Sequence, residues 1–298
     1  MLDLSSSGQN ASVSGTGESA DLFRLTVRTT NKLLRPKAGQ YFFLWTPVSI
    51  KPWENHPFTL ASWEKSSDGT TLHFLIRAGK GATRNIQKKL QKSPNGLVNM
   101  RILLEGPYGE SHSLQGFNQV LLVAGGSGIT AVLPYLFTIC ADPSNTTRVT
   151  LIWCVKRSAF ADDVLRHELS AYLRGKDSNV AIVLYITEED AAPSNYIMAS
   201  EQSSTEAITP GLESPMKEKS LESAPSGILA TRQGRPAMRD VLRGGLDRLD
   251  HGERLAVISC GAQGMMDDMR AAVVASYGYG QGQISGDRLK YFEEHFYW

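Results

Sequence analysis

Residues 120–141 contain no charged side chain, and Gly125, Gly126 and Gly128 fall near the start of that run. A run this long can cross a bilayer as a single helix. Its glycines lower helix stability, and Pro134 removes a backbone donor in the middle. The run is therefore read as a buried strand, a glycine turn and a buried helix, and no transmembrane segment is expected in it. That reading constrains everything downstream, because strand, tight turn and helix in this order build a parallel sheet.

The second half of the chain repeats the pattern. Residues 149–154, 180–187 and 255–259 are apolar and β-rich without alternation, and helical segments such as 161–173 lie between several of them. This is expected of strands covered on both faces. Residues 188–230 break the pattern, being rich in Ser, Glu, Pro and Ala, and are read as a disordered insertion.

The first third differs in period. Residues 22–27 and 72–77 alternate polar and apolar, 40–45 is aromatic-rich, and Pro36, Gly39, Pro47, Pro52 and Gly69 punctuate them. Short strands with such punctuation predict a small antiparallel barrel, with one helix at 83–90 opened by Gly79 and Gly81. The character changes after Gly106-Pro107-Tyr108-Gly109. The expected organisation is a loose lead-in at 1–20, an antiparallel β-barrel at 21–112 and a Rossmann-like parallel-sheet domain at 113–298.

Composition bounds the partners. The 298 residues are 41% hydrophobic and 20% charged with net charge +1, so no large field points to nucleic acid or an acidic membrane surface. Cys140, Cys154 and Cys260 form no C-x-x-C, which argues for a reducing compartment and against a disulfide framework or zinc. The six histidines show no metal-ligand spacing, and all but His56 are read as structural.

Six patterns carry chemistry. Gly126-Ser127-Gly128-Ile129-Thr130-Ala131 fits G-x-G-x-x-A between a strand and a helix, where small residues let backbone N–H groups approach a pyrophosphate. Ile129 stands where a nucleophile elbow needs glycine, which disfavours a serine hydrolase. After the next strand come Lys156 and Arg157, and Arg235 is a second basic candidate. Cations there suit a ribose 2′-phosphate, an acid would suit a free 2′-OH, and solvated surface charge is the alternative. His56-Pro57-Phe58-Thr59 has the parts to hold a flavin ring: an aromatic or imidazole to pack on it, Pro to fix the strand exit, and a Thr hydroxyl for its polar atoms. Arg77, with Gly79, Gly81 and Thr83 beyond it, suits a diphosphate at a helix start. Finally, Cys260 ends a late strand before Gly261, either beside a nicotinamide or as a small buried hydrophobe. Residues 291–298 are aromatic-rich; Trp298 either docks into the core or covers the flavin.

HPFT, then R-x-G-x-G-x-T, GPYG, AGGSGIT, SCG and a terminal aromatic, in this order, resemble the cytoplasmic dehydrogenase half of fungal ferric-chelate reductases. NADPH oxidases are the sister group and ferredoxin–NADP reductases the wider superfamily. The resemblance covers about residues 20–298 without the insertion. It implies that His56, Pro57, Phe58 and Thr59 hold the FAD ring and that Arg77, Gly81, Ala82 and Thr83 hold its diphosphate. Gly106, Pro107 and Tyr108 would line the gap between domains. Gly125, Gly126, Ser127, Gly128 and Thr130 would hold NADPH phosphates, with Lys156, Arg157 and Arg235 at the 2′-phosphate. Cys260 and Gly261 would border the nicotinamide, and Trp298 would stack on the flavin until NADPH displaces it.

Family members also carry an N-terminal membrane bundle whose paired histidines bind two haems, and these 298 residues contain none. The expectation is an FAD-dependent NADPH oxidoreductase region passing electrons to a haem or a ferric chelate. It would be cytoplasmic, and at the cytoplasmic face of a membrane if part of a longer reductase. A superoxide-generating oxidase region and a non-catalytic nucleotide-binding module remain the alternatives.

Overall fold

The computed structural model describes residues 9–14, 22–45, 55–174, 179–188, 229–278 and 283–295. In the first part, β1 (Gln9–Ser14), β2 (Leu22–Thr29), β3 (Tyr41–Trp45), β4 (Asn55–Thr59), β5 (Ser62–Ser66), β6 (Gly69–Arg77) and β7 (Leu97–Tyr108) form one sheet. Its order is β4-β3-β7-β1-β2-β6-β5, and every neighbouring pair is antiparallel. Alternation sets the inner face: Phe23, Leu25 and Val27 are buried, while Arg24, Thr26 and Arg28 point away. Helix α1 (Ala82–Lys92) packs Ile86 and Leu90 into the same core.

The two edge strands of this sheet, β4 and β5, are joined only by Leu60 and Ala61. The Leu60 amide donates to Gln40 beside β3, and the Ala61 amide donates to His73 on β6. These two bonds close the barrel immediately after the HPFT segment.

In the second part, β8 (Gln119–Gly125), β9 (Arg148–Val155), β10 (Val180–Ile186), β11 (Leu229–Gln233), β12 (Leu255–Cys260) and β13 (Leu289–Glu293) form a parallel sheet of order β11-β10-β9-β8-β12-β13. The helices are α2 (Ile129–Cys140), α3 (Ser158–Arg166), α4 (Ser170–Arg174), α5 (Met238–Leu246) and α6 (Gln263–Ser276). Along β8, Val120, Leu122 and Ala124 enter the core under α2 and α3, while Leu121 and Val123 enter the core under α5 and α6. Both faces are covered, so the strand has no polar face to alternate with. No helix among the described residues is long and apolar enough to cross a membrane.

The structure departs from the sequence reading at three places. Residues 9–14, expected in the loose lead-in, form β1 between β2 and β7, with Val13 fully buried. Six residues of low hydrophobicity hold this position because the ladder satisfies their backbone on both sides. The helix expected at 161–173 is two helices. His167 ends α3 with Nδ1 near the Asp163 carbonyl oxygen, and Leu169 turns fully inward. Of the expected insertion, residues 189–228 lie outside the described residues; Leu229 and Ala230 already belong to β11, paired with β10.

The two parts share a core. Leu22, Ala38, Ala61 and Leu75 of the barrel pack in the cluster that contains α2 and β9. Arg24 on β2 reaches across as a fork: Nε donates to Glu168 at 2.6 Å, Nη1 to Asp163 at 2.6 Å and Nη2 to Glu168 at 2.7 Å.

Candidate cofactor-binding site

The HPFT strand is split by the pleat. Antiparallel partners share a face, and His56 and Phe58 oppose Leu44 and Phe42, both in the barrel core. Pro57 and Thr59 oppose Phe43 and Tyr41 on the outer face. All four are half-buried. The His56 and Phe58 rings stand 6.5 Å apart, edge to face. On the outer side Tyr41, Phe43 and Tyr108 form an aromatic triangle with centroids 5.6–5.8 Å apart. Tyr41 and Phe43 were not singled out from sequence, although their two-residue spacing in an aromatic-rich strand is the signal for a shared face. Gly106 is required beneath them, because a Cβ there would lie 2.7 Å from the Phe42 ring. Pro107 follows it, and Tyr108 donates its hydroxyl to Glu105.

The other end of the candidate site is a glycine-rich loop at a helix start. Arg77 ends β6 exposed, without an ion-pair partner among the described residues. Gly81 caps α1 with φ +74°, and a Cβ on it would meet nothing within 4 Å. No side chain caps this helix and its first turn has no acid. Its first N–H groups therefore remain for an external acceptor. Ala82 is buried beneath the turn. The Thr83 hydroxyl accepts the Gly79 amide at 3.0 Å and so shapes the loop.

The second glycine turn is anchored through its carbonyls. Trp153 Nε1 donates to the Gly126 oxygen at 3.0 Å, and the Thr130 hydroxyl donates to the Ser127 oxygen at 2.9 Å. The Ile129 amide folds back on the Gly126 and Ser127 oxygens, and with no side-chain cap on α2 the amides of residues 126–128 are left over. Gly128 is needed for close approach, since a Cβ would sit 2.2 Å from the Cys260 carbonyl oxygen. Gly125 and Gly261 press together, each leaving about 3 Å for the other's Cβ. Gly126, at φ +53°, faces open space. The motif thus divides into glycines that seat the turn on β12 and one that leaves room above it.

Lys156 and Arg157 follow β9 at the same sheet edge, and both are exposed. Glu188, not singled out from sequence, sits between them: Lys156 Nζ lies 3.1 Å from Oε1 and Arg157 Nε 3.5 Å from Oε2. The hydrogen bond from Lys156 holds the Glu188 carboxyl below the ordinary range. Arg235 is exposed, and its charge reaches Cys154. Arg232, also missed, lies over the Tyr185 ring at 5.9 Å.

Cys260 ends β12 inside the core, 1% exposed. Burial, helped by nearby Glu294, pushes its thiol up to about 12, so it is neutral. Glu294 is the residue the sequence reading overlooked. It follows β13, accepts the Tyr135 hydroxyl at 2.7 Å, lies 3.8 Å from His112 Nε2, and approaches Gly39 of the barrel. Burial pushes its carboxyl up to about 7. Four segments distant in sequence meet at this group, so no local pattern marks it. Phe292 stacks on His112 at 4.3 Å, while Tyr291 packs on the opposite core with its hydroxyl 2.8 Å from Ser259 Oγ. Part of the aromatic C-terminus is therefore a docked strand; Trp298 lies outside the described residues.

Comparisons with known proteins agree with this division. A family model described as the ferric reductase NAD binding domain matches residues 117–274, and one described as an FAD-binding domain matches residues 5–112. The chain is 26% identical over 280 residues to ferric reductase transmembrane component 6 of Saccharomyces cerevisiae, covering 93% of this chain and 36% of that protein. It is 27% identical over 260 residues to a probable ferric reductase transmembrane component of Candida albicans, covering 81% and 34%. The chain thus spans about a third of the length of these curated relatives. Among solved structures, a ferredoxin NADP+ reductase from Neisseria gonorrhoeae with bound FAD and NADP superposes with TM-score 0.59 at 14% identity, over 97% of this chain and 98% of that one. The cytochrome b5 reductase domain of Ulva prolifera nitrate reductase superposes with TM-score 0.57 at 15% identity, over 96% and 98%. Both likenesses concern the fold.

Proposed function

The chain belongs to the ferric reductase family, whose NAD-binding model covers more than half of it, and from that premise we propose a flavin-dependent NADPH oxidoreductase. FAD binds the barrel, NADPH binds the parallel sheet, and electrons leave to a haem or a ferric chelate. With a haem acceptor, the chain works at the cytoplasmic face of a membrane. The observation that carries the reading is a pair of helix starts behind open glycines, one in each domain. Both α1 and α2 follow a positive-φ glycine that faces open space, Gly81 and Gly126, with neither side-chain cap nor first-turn acid; α3 and α6 share the missing cap and acid but follow no such glycine. Two such seats in one molecule suit two diphosphates.

Bound FAD would take a hydride from the nicotinamide and release electrons singly, chemistry that no side chain here supplies. The side chains bind, orient and exclude water. His56–Thr59 and the triangle of Tyr41, Phe43 and Tyr108 hold the flat ring, and Arg77 with the α1 amides holds its diphosphate. The turn 125–128 and Thr130 seat the nucleotide phosphates, with Lys156, Arg157 and Arg235 for the 2′-phosphate. Gly261 borders the nicotinamide with the neutral Cys260 thiol buried behind it, which leaves no thiolate to add to the ring. Trp298 covers the flavin until nucleotide arrives. The Arg24 fork holds the two seats at one mutual orientation.

The test is anaerobic. Protein loaded with FAD should stay yellow through gel filtration and be bleached by NADPH under argon, and ferric citrate should restore the colour. Loss of the flavin on the column, or a colour that NADPH leaves unchanged, would overturn the reading.

A further inference from the structure

The near-zero net charge conceals a segregation. Residues 22–112 carry fourteen Lys and Arg against five Asp and Glu, an excess of nine positive charges in a chain of net charge +1. One diphosphate accounts for only part of that excess. Such asymmetry between halves points to an anionic partner for the basic half.

The structure shows where part of this charge converges. Lys32, Arg35 and Lys65 line a concavity of about 250 Å³ with Ser66, Gly69 and Thr70. None of the three cations is ion-paired among the described residues. Two acids lie close in sequence: Glu64, beside Lys65, is 3.9 Å from His73 Nε2, and Asp68, at the hairpin tip, accepts from Ser67 Oγ. The concavity lies at the Gly69 end of β6, and Arg77 lies at the other end, roughly 26 Å away by strand rise. It is therefore separate from the diphosphate seat.

The loop that builds this rim is preformed. The Asn31 amide donates to Thr29 Oγ1 at 3.2 Å, and Asn31 Oδ1 accepts the Leu33 amide at 2.9 Å. Arg35 Nη1 donates to the carbonyls of Lys32 at 2.5 Å and Leu34 at 3.1 Å. Gly69, φ +147°, lets the β5–β6 hairpin close onto the Thr29 carbonyl, where a Cβ would come within 2.1 Å. Leu34 and Pro36 turn inward, and Leu33 points out, 84% exposed. A single exposed leucine is ordinary. A rigid loop that puts one between Lys32 and Arg35 matches a surface with anionic heads over an apolar layer.

We propose that this barrel rim docks on an anionic phospholipid surface, Lys32, Arg35 and Lys65 pairing with headgroup phosphates while Leu33 enters the interface. Attraction of this kind falls within a Debye length and weakens with salt. The proposal stands on the rim alone and does not need the redox reading.

The FAD-loaded 298-residue protein is sedimented with vesicles of phosphatidylcholine, with and without phosphatidylserine. Partition should rise at least about tenfold with phosphatidylserine and fall as salt is added. Lys32→Glu with Lys65→Glu should abolish that rise, with flavin absorbance and Tm unchanged. Leu33→Ser should weaken partition several-fold at constant charge, and the fluorescence of Leu33→Trp should shift to the blue on anionic vesicles only. The Trp variant keeps the question open to test if the double reversal fails to fold. The proposal is overturned by equal partition into both vesicles, by full binding of the double variant, or by an equal loss from Lys88→Glu with Lys89→Glu on α1. Displacement by millimolar inorganic phosphate would assign a soluble-anion pocket instead. Displacement by polyglutamate, with Leu33→Ser silent, would assign an acidic protein.

Discussion

Replacing Gly128 by alanine separates what the glycine turn does for the fold from what it does for a ligand. The added Cβ would land 2.2 Å from the Cys260 oxygen and 2.7 Å from its carbon, against 3.4 Å or more for ordinary contact. Turn and strand must therefore part by roughly 1 Å in an interior that deforms little. Strand β12 cannot yield easily, because it is paired with β8 and β13 on its two sides. Overpacking of this kind costs about 1–3 kcal/mol, and contact with main chain puts Gly128→Ala at the upper end. In a domain of this size that lowers Tm by roughly 5–10 °C. Gly126→Ala is the contrast: it meets nothing within 4 Å and sits at φ +53°. It should cost only about 1 kcal/mol of left-handed strain while its methyl enters the space expected for phosphate. Gly264→Ala, in the first turn of α6 with open space around it, should be neutral or stabilising by up to about 1 kcal/mol. Calorimetry and titration of NADP+ on the same three proteins check this. The expected result is a large Tm loss for Gly128→Ala, and a weaker Kd with little Tm loss for Gly126→Ala. A Gly128→Ala protein melting within about 1 °C of the parent would refute the steric argument.

Three further outcomes are expected. Glu294, pushed up from 4.5 to about 7, holds a proton in the folded state that the unfolded chain gives up. Stability should therefore fall as pH rises from about 4.5 to 7, by roughly 3 kcal/mol in all. Glu294→Gln should flatten that slope and raise Tm at pH 8 but not at pH 4, as thermal melts across the range would show. Glu188→Gln releases Lys156 and Arg157 and should raise the ratio of kcat/KM for NADPH over NADH several-fold; an unchanged ratio would remove the basic pair from the 2′-phosphate site. Arg24→Ala removes the guanidinium shared by Asp163 and Glu168, which are 6% and 15% exposed. It should cost about 3–5 kcal/mol in urea denaturation, whereas a loss below about 1 kcal/mol would mean a solvated clamp.

Local signals carried the sequence reading and long-range ones were lost. The strand, turn and helix around Gly125–Gly128 were legible because each declares itself within a few residues, and the same holds for Arg77 before α1. The division of labour among those glycines was not legible, since it depends on Cys260, more than a hundred residues on. Glu188 escaped because a lone acid after a strand looks solvated until its pairing with Lys156 and Arg157 is seen. Glu294 lay in plain view within an aromatic tail, but its environment is made by Gly39, His112, Tyr135 and Cys260. β1 was missed because six residues with two buried apolar side chains resemble a linker. The near-neutral net charge argued against an acidic surface only because it averaged two domains of opposite sign.

The placing of β1 bears on how the molecule is made. Gln9 faces Ile102 across the sheet, and β1 lies between β2 and β7. The first described strand of this sheet must wait for the last, a long-range pairing of the kind that slows folding. Yet that ladder is complete at Tyr108, before the first strand of the parallel sheet begins at Gln119. The half proposed to hold FAD has its whole backbone framework before the other half exists. Flavin capture during synthesis can therefore precede, and need not await, the folding of the nucleotide domain.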